Sequence, residues 1–258
     1  MTADLRAAAR TALACLDLTS LNDADTAADI VALCQRAQTA NGPVAAVCVW
    51  PRFAALARRE LPAGIAVAAV ANFPDGSADI ARSVADTREI VAAGAQEVDV
   101  VLPISRLQQG DERAVTELVA AVRAACPGLA LKVILETGVL VDEPLIRRAS
   151  QLALDAGADF LKTSTGKTPV SATPEAARVM LATIAVDPRA AARVGFKASG
   201  GIRTVADATV YFGLVEQALG AAALSPARLR IGASSLLNDV EAVLSGRAAP
   251  PAAAPGTY

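Results

Sequence analysis

The feature that most constrains the fold is a regular alternation of short apolar runs with amphipathic helical segments. Eight runs of strand length begin near residues 15, 45, 65, 97, 129, 160, 194 and 229, and each is followed by the apolar spacing of a helix. The runs are almost continuously apolar, which is typical of parallel strands buried on both faces. The connections are short and no linker divides the chain. The pattern predicts a single α/β domain.

The number of repeats favours one of two parallel-sheet architectures. Eight strand–helix units in 258 residues fit a single (β/α)8 TIM barrel with a short leading helix at residues 3–13. We assign the barrel to residues 1–246, and a flexible C-terminal tail, rich in alanine and proline, to residues 247–258. A doubly wound sheet is the alternative, although no glycine-rich dinucleotide-binding loop follows the first predicted strand.

Composition excludes several classes of function. The net charge is −2 and there is no basic tract, which argues against a nucleic-acid-binding surface. No charge-free apolar run reaches the ~18 residues of a membrane-spanning helix, and the early acidic residues do not fit a secretory signal. We therefore expect a cytoplasmic protein with neither membrane nor nucleic-acid partners. The four cysteines have no CxxC spacing and are interpreted as reduced thiols.

Histidine is absent from the sequence. Its absence excludes histidine-ligated zinc, serine–histidine–aspartate triads and histidine general bases. Acid–base chemistry must therefore use lysine, carboxylates, tyrosine or water. We predict neither a metal nor a cofactor.

Lysine is rare, and its positions are unusual. The chain has 24 basic residues but only four lysines, and three of these, Lys132, Lys162 and Lys197, lie inside apolar runs that are predicted as strands. A buried ammonium is costly unless it is paired or deprotonated, and a deprotonated amine is a nucleophile. Arginine cannot replace lysine in that role. The alternatives are codon bias and a strand-end lysine that extends to solvent.

Four charged residues occupy equivalent alternate positions in the predicted strands. Because alternate residues of a barrel strand point inward, these side chains are expected to face one cavity at the C-terminal strand ends. Two lysines in one desolvated cavity disfavour each other's protonation, so one amine is expected to have a pKa of ~7–8. An interior ion-pair network without chemistry is the alternative. The four residues are Asp17, Asp99, Lys162 and Lys197.

A second set of residues is typical of a phosphate site. Glycine-containing turns follow the sixth, seventh and eighth predicted strands, and the last helix is expected to begin at Ser234. Glycines allow backbone N–H groups to approach an anion, and a helix N-terminus attracts negative charge. Each turn by itself is more often only a turn, but barrels often bind phosphate at this corner. The predicted residues are Gly166, Lys167, Gly200, Gly201, Ser234 and Ser235.

The sequence resembles the deoxyribose-phosphate aldolases, a family of class I aldolases, over nearly its whole length. The two lysine-containing motifs, Phe160 to Lys167 and Gly195 to Thr204, are together specific for that family. The other matching segments are Leu16 to Asn22, Val47 to Phe53, Ala71 to Pro74, Glu97 to Val101, Leu131 to Gly138 and Gly232 to Ser235.

The resemblance implies reversible cleavage of 2-deoxy-D-ribose 5-phosphate to D-glyceraldehyde 3-phosphate and acetaldehyde, in deoxyribose and deoxyribonucleotide catabolism. Lys162 matches the Schiff-base lysine, Lys197 the second lysine that lowers its pKa, and Asp99 the residue that moves protons with a water. Asp17 and Lys132 match the supporting polar network. The glycine, lysine and serine set named above matches the family's phosphate site.

The sequence leaves open the roles of two further residues, the choice between related functions and the oligomeric state. Cys48 closes the second predicted strand and is either a residue near the substrate or a buried packing thiol. Tyr258 either reaches the active site, as a C-terminal tyrosine does in some longer family members, or has no role. Two alternative functions also fit the sequence. The protein is then either a Schiff-base barrel aldolase for a different phosphosugar or a non-catalytic barrel that binds a phosphate ligand. The pattern fits a monomer or a homodimer.

Overall fold

Each apolar run forms a short strand, and the segments between the runs form helices. The computed structural model describes residues 3–247. The strands are β1 (Leu16–Thr19), β2 (Gln38–Thr39), β3 (Gly42–Pro43), β4 (Ala46–Val49), β5 (Ala66–Ala71), β6 (Glu97–Val101), β7 (Ala130–Ile134), β8 (Phe160–Lys162), β9 (Gly195–Ser199) and β10 (Leu229–Ala233). The helices are α1 (Ala3–Ala14), α2 (Ala27–Arg36), α3 (Pro51–Glu60), α4 (Ile80–Ala92), α5 (Ile104–Gln108), α6 (Glu112–Ala125), α7 (Thr137–Leu140), α8 (Glu143–Asp155), α9 (Pro174–Val186), α10 (Val205–Leu219) and α11 (Leu236–Ser245), with a 3₁₀ turn at Ala221–Ala223.

Eight of these strands close into a parallel barrel. Strands β4 to β10 follow one another around it, and β1 lies between β10 and β4. Apart from Ala66 and Ala130, which are half-buried, every residue of the barrel strands is buried. Burial on both faces accounts for the nearly continuous apolar runs, since the outward residues pack beneath the helices. The predicted (β/α)8 TIM barrel is confirmed.

Local signals fix the starts of the outer helices. Thr204 and Asp207 form the predicted capping box at the start of α10, with side chain and backbone bonds in both directions. Thr173 caps α9 through the N–H of Ala176, and Pro174 occupies its first turn. Each cap satisfies backbone donors that have no partner within the helix. These caps orient helices directly beyond the loops that follow β8 and β9.

Some short elements were not predicted. Strands β2 and β3 form an antiparallel hairpin after α2, and helices α5 and α7 follow β6 and β7. The last helix begins at Leu236, two residues later than expected. No helix in residues 3–247 is both long and apolar enough to span a membrane. Of the predicted tail at 247–258, residues 248–258, including Tyr258, lie outside the described residues.

Candidate active site

Five adjacent strands place charged side chains inside the barrel. Asp99 of β6 pairs in register with Lys132 of β7, and Lys162 of β8 pairs with Lys197 of β9. Lys197 is also in register with Arg230 of β10. All five side chains are buried. Strand alternation and register therefore bring charges that are far apart in the sequence into one cluster.

Asp99 is the centre of this cluster. Its Oδ2 accepts hydrogen bonds from Lys162 Nζ at 2.9 Å and from Lys197 Nζ at 2.8 Å. Its Oδ1 accepts a hydrogen bond from Lys132 Nζ at 2.6 Å. Burial would raise the pKa of Asp99, but the three ammonium groups outweigh it and hold that pKa well below its usual range. Asp99 is therefore an anion that all three buried lysines share.

Two further carboxylates, those of Asp17 and Glu97, pair with Arg230 and with two of the three lysines. Asp17 of β1 contacts Lys197 Nζ and accepts a hydrogen bond from Arg230 Nη1 at 2.7 Å. Glu97 of β6 accepts one from Arg230 Nη2 at 2.6 Å and lies 2.6 Å from Lys132 Nζ. Although burial raises the pKa of Asp17, Lys197 and Arg230 lower it by more. These pairs satisfy charges that would otherwise be costly to bury.

Lys162 differs from the other two lysines in its ion pairs. Within residues 3–247, Lys162 Nζ lies within 4 Å of only one carboxylate, that of Asp99, whereas Lys197 Nζ has two such neighbours and Lys132 Nζ has three. Burial, and then the charge of Lys197, lower the pKa of Lys162 against the opposing effect of Asp99. For Lys132 and Lys197 the carboxylates outweigh burial, so both pKa values are raised. Lys162 and Lys197 therefore differ: the pKa of Lys162 is lowered, whereas that of Lys197 is raised.

The charges of the cluster do not balance when every group is ionised. Four cations, the three lysines and Arg230, share three carboxylates, those of Asp17, Glu97 and Asp99. Loss of one proton from Lys162 would make the numbers equal. Because the cluster is out of contact with solvent, an unmatched charge is disfavoured there. Of the three buried lysines, Lys162 is therefore the one whose ammonium form is least stabilised.

Of the two further residues from the sequence analysis, the structure describes Cys48 and not Tyr258. Cys48 of β4 is buried, and it interacts electrostatically with Asp99, Lys197 and Lys162. Burial and then Asp99 raise the pKa of Cys48, so the side chain is a neutral thiol. Tyr258 lies outside the described residues, and its role stays a prediction.

The predicted glycine segments meet at the carboxyl ends of β8, β9 and β10. A methyl group at Gly200 would lie 2.6 Å from Ser171 Cβ and 3.4 Å from Gly166 Cα. The Gly200 N–H donates to the carbonyl of Gly232 at 3.3 Å. Gly166, Gly200 and Gly201 have φ values of +83°, +84° and +81°, a region that favours glycine. The three turns thus lie side by side, at the end of the barrel where β8 presents Lys162.

The other predicted phosphate residues lie around the same end. Lys167 is half-buried, and its Nζ donates to the carbonyl of Leu21 at 2.8 Å. Ser234 is exposed and Ser235 is half-buried immediately before α11. The Ser235 hydroxyl makes no capping hydrogen bond to the helix. Only Ser234 and Ser235 separate the end of β10 from the start of α11.

A cavity of about 360 Å³ opens beside the turn that follows β8. Its lining includes Lys167, Thr165, Thr168, Glu136 and Ile104. Glu136 is buried at the end of β7, and burial raises the pKa of its carboxyl group. The cavity therefore combines a cationic side chain with hydroxyl groups next to the strand end that bears Lys162.

Sequence reasoning missed three members of this region. Arg230 is a charged residue within an apolar run, and it lies on the same face of its strand as Gly232. The same pattern identified the strand lysines. Glu97 lies two residues before Asp99 and thus on the same strand face. Glu136 carries no periodic signal, because it lies beyond the last residue of β7. Two of the three could have been found by applying the alternation to every charged strand residue.

Metal-ligating side chains are not grouped in the described part of the chain. Between residues 3 and 247, no three or more Cys, Asp or Glu side chains converge as they would around a metal ion. The carboxylates of the barrel interior are instead bonded to lysine and arginine.

Comparison with known proteins decides the family. The family model for DeoC/LacD family aldolases matches residues 11–242. The chain belongs to this aldolase family. The match covers every strand of the aldolase's barrel and all residues of the buried cluster.

Solved structures have the same fold as this aldolase. A candidate deoxyribose-phosphate aldolase from Coccidioides immitis is 29% identical, with a TM-score of 0.77, over 90% of this chain and 87% of that chain. A protein described as QR15, an aldolase, is also 29% identical with a TM-score of 0.77, over 91% and 96%. The deoxyribose phosphate aldolase of Aeropyrum pernix, whose structure is tetrameric, is 26% identical with a TM-score of 0.72, over 95% and 99%.

We expect Asp99→Asn to destabilise the aldolase strongly. The substitution leaves three buried ammonium groups without their shared anion, and removing one partner of a buried ion pair costs about 3–5 kcal/mol. Urea unfolding should report this loss at neutral pH. The control is Asp75→Asn, since Asp75 is exposed and its 3.4 Å ion pair with Arg82 is worth little. Equal unfolding midpoints for both variants would contradict the shared-anion role of Asp99.

We expect Gly232→Ala to displace the side chain of Lys197. A methyl group at Gly232 would lie 2.7 Å from Ser199 Oγ, closer than packed atoms allow, and 3.1 Å from Lys197 Cε, so the lysine side chain would have to shift by a few tenths of an ångström. Overpacking of this kind costs about 1–3 kcal/mol and should also lower kcat/KM. Gly213→Ala in α10 is the control, because nothing lies within 4 Å of the added methyl group. Full activity of Gly232→Ala would show that the position of Lys197 tolerates displacement.

Proposed function

We propose that the protein is a class I aldolase that reversibly cleaves 2-deoxy-D-ribose 5-phosphate to D-glyceraldehyde 3-phosphate and acetaldehyde. The nucleophile is Lys162, and the reaction proceeds through a Schiff base. The observation that carries this assignment is the asymmetry of the buried lysines. Among the three buried lysines, Lys162 Nζ has one carboxylate within 4 Å and a lowered pKa, whereas Lys197 Nζ has two and Lys132 Nζ has three, and the pKa values of both are raised.

The chemistry follows from a neutral amine at the end of a barrel strand. Lys162 Nζ attacks the C1 aldehyde of the open-chain sugar, and loss of water from the carbinolamine gives an iminium ion. Removal of the C3 hydroxyl proton then breaks the C2–C3 bond. The electron pair of that bond moves into the iminium and forms an enamine, while C3 becomes the aldehyde of glyceraldehyde 3-phosphate. Protonation of the enamine carbon and hydrolysis release acetaldehyde and regenerate Lys162.

The neighbouring charges have separate roles in this sequence. The Lys197 ammonium disfavours protonation of Lys162 and stabilises negative charge as it develops. Asp99, through a water, transfers protons at the carbinolamine and enamine stages. Asp17 and Lys132 hold Lys197 and Asp99 in place through their ion pairs. Because the iminium ion accepts the electron pair, the proposed reaction requires no metal.

The glycine turns provide a binding site for the substrate phosphate. Backbone N–H groups at Gly166 and Gly201 and at the turn before α11 are the proposed anion donors, with Ser234 and Ser235 beside them. Gly200, whose own N–H bonds to the Gly232 carbonyl, contributes to the site by its lack of a side chain. Lys167 supplies a cation at the same end of the barrel. The glycines leave no side chain between the phosphate and the backbone. A phosphate held here anchors the sugar at the strand ends near Lys162.

The substrate assignment is tested by measuring formation of glyceraldehyde 3-phosphate from 2-deoxy-D-ribose 5-phosphate after dialysis against EDTA. We expect turnover that EDTA does not reduce. Ribose 5-phosphate and unphosphorylated 2-deoxyribose are the comparison substrates. Faster cleavage of another phosphosugar would favour a different Schiff-base aldolase, and no cleavage of any sugar would favour the phosphate-binding barrel. Loss of activity in EDTA, restored by a divalent metal, would contradict the metal-free mechanism.

The proposal also covers the catalytic domain, the cellular location, the partners and the assembly of the protein. Residues 1–246 are the proposed catalytic domain, and the location is the cytoplasm. The partners are the phosphosugar and aldehyde substrates. A homodimer is the proposed assembly, testable by sedimentation at several protein concentrations.

A further inference from the structure

A buried acid at the edge of the barrel has no part in the chemistry proposed above. Glu136 follows β7 with φ 54° and ψ 58°, a left-handed conformation that is uncommon for residues other than glycine. Its side chain is buried, and within residues 3–247 it has no ion-pair partner within 4 Å. A strained backbone and an unpaired buried carboxyl group persist only where the surroundings hold them.

Hydroxyl and amide groups of the loop after β8 surround the Glu136 carboxylate. Both of its oxygens accept from the Thr165 N–H at 3.3 Å. Oε2 also accepts a short hydrogen bond from the Thr165 hydroxyl. The Thr168 hydroxyl lies 3.2 Å from Oε1 and 2.9 Å from the carbonyl oxygen of Val170, and it shares its one proton between these two acceptors. The carboxylate therefore contacts both sides of a turn that contains Gly166 and Lys167.

The Thr165 hydroxyl transmits this contact to Lys167. Its proton is directed to Glu136, so its oxygen accepts the Lys167 backbone N–H at 3.0 Å. The orientation of the Lys167 peptide thus depends on a hydroxyl group that Glu136 orients in turn. Gly166, with φ +83°, lies between them.

A second contact joins the same two loops. A methyl group at Gly138 would lie 2.0 Å from the carbonyl oxygen of Val170, so only glycine permits this approach. The loop after β7 therefore packs directly against the loop after β8 at two points, Glu136 on Thr165 and Thr168, and Gly138 on Val170. Both contacts restrain the turn between residues 165 and 168.

We propose that Glu136 is a positioning residue that holds the turn from Thr165 to Thr168 in the conformation that binds the substrate's phosphate group. Glu136 acts through Thr165 and through the Lys167 peptide. This inference rests on the proposed function. It adds a residue on which recognition of the phosphate depends, whereas Lys162 and its neighbours carry out the bond cleavage.

The test compares substrates with and without phosphate in Glu136→Ala. Loss of the carboxylate frees the Thr165 hydroxyl and the turn, so KM for 2-deoxyribose 5-phosphate is expected to rise about 10-fold or more, with a smaller change in kcat. Cleavage of 2-deoxyribose should change less than about twofold. Glu136→Gln keeps one oxygen for the Thr165 hydroxyl and places an amide against Thr168, and it should restore most of the phosphate preference.

A matched pair at Thr165 keeps the test decisive if Glu136→Ala does not fold. Thr165→Val has the same shape but lacks the hydroxyl, while Thr165→Ser keeps it. Only Thr165→Val should raise KM for the phosphorylated sugar. In hydrogen–deuterium exchange, the peptide that contains Lys167 should exchange faster in Thr165→Val and in Glu136→Ala than in the wild type, without any substrate.

Two results would overturn the assignment. Equal losses with phosphorylated and unphosphorylated sugars would place Glu136 in the chemistry instead of in phosphate binding. Unchanged KM values together with unchanged exchange of the Lys167 peptide would mean that the turn does not depend on Glu136. The proposed aldolase function is checked separately in every variant by acetaldehyde-dependent borohydride trapping, since that step involves no phosphate.

Discussion

Replacing Lys162 with arginine is expected to lower kcat/KM for 2-deoxyribose 5-phosphate by about 10⁴-fold or more, as loss of a covalent nucleophile generally does. Arginine keeps the positive charge and can still bond to Asp99, but it cannot lose the proton that an attacking amine must lose. Lys132 and Lys197 keep carboxylate partners that do not contact Lys162, those of Glu97 and Asp17. Activity is measured by release of glyceraldehyde 3-phosphate.

The control for Lys162→Arg is a measurement that the variant is folded as stably as the wild type. The urea midpoint and the circular dichroism of the variant should lie close to those of the wild type. Lys167→Arg provides a second comparison, because it changes a lysine outside the buried cluster; it should alter KM more than kcat. Turnover by Lys162→Arg within tenfold of the wild type would exclude Lys162 as the nucleophile.

Replacing Lys197 with leucine is expected to shift the pH dependence of catalysis to higher pH. In the wild type, the charge of Lys197 helps burial to lower the pKa of Lys162. Without that charge, Asp99 stabilises the Lys162 ammonium with one competitor fewer, so the pKa of Lys162 rises. The fraction of free amine at a given pH then falls. The rising limb of kcat/KM against pH should therefore move in the alkaline direction, with the largest loss of activity at neutral and acid pH.

The charge of Lys197, and not mutation of a lysine in general, should cause this shift. Lys167→Leu removes a lysine that lies outside the ion pairs of Asp99, so its rising limb should stay at the wild-type pH even if KM increases. Lys197→Arg retains the charge and should move the limb less than Lys197→Leu. An identical limb in wild type and Lys197→Leu would mean that burial and Asp99 set the pKa of Lys162 without Lys197.

The fold was largely predictable because its signals are local and repeated. Apolar runs of strand length, proline and glycine at their ends, and caps such as Thr204 with Asp207 each require only neighbouring residues. The hairpin of β2 and β3 was not predicted because two-residue strands leave no periodic pattern. The predicted start of α11 is too early because Ser234 and Ser235 are both good cap residues, whereas the helix is preceded by Ser235, which makes no side-chain capping bond.

The candidate site was predictable only as far as strand alternation extends. Alternation put Asp17, Asp99, Lys162 and Lys197 on the inner face, and register then joined them. Which lysine has the lowered pKa could not be read from alternation, because it depends on the number of carboxylates within reach of each Nζ. Glu136 could not be predicted, since its role depends on the left-handed backbone after β7.

Trapping of the imine tests the central claim most directly. The full chain is incubated with acetaldehyde and sodium borohydride, and the modified residue is located by peptide mass mapping, with a sample lacking acetaldehyde as the control. The expected result is a reduced ethyl adduct on Lys162, with Lys132, Lys167 and Lys197 unmodified, and loss of activity in proportion to the adduct. An adduct on another lysine while Lys162 stays free, or no adduct on any lysine, would contradict the assignment of Lys162 as the Schiff-base residue.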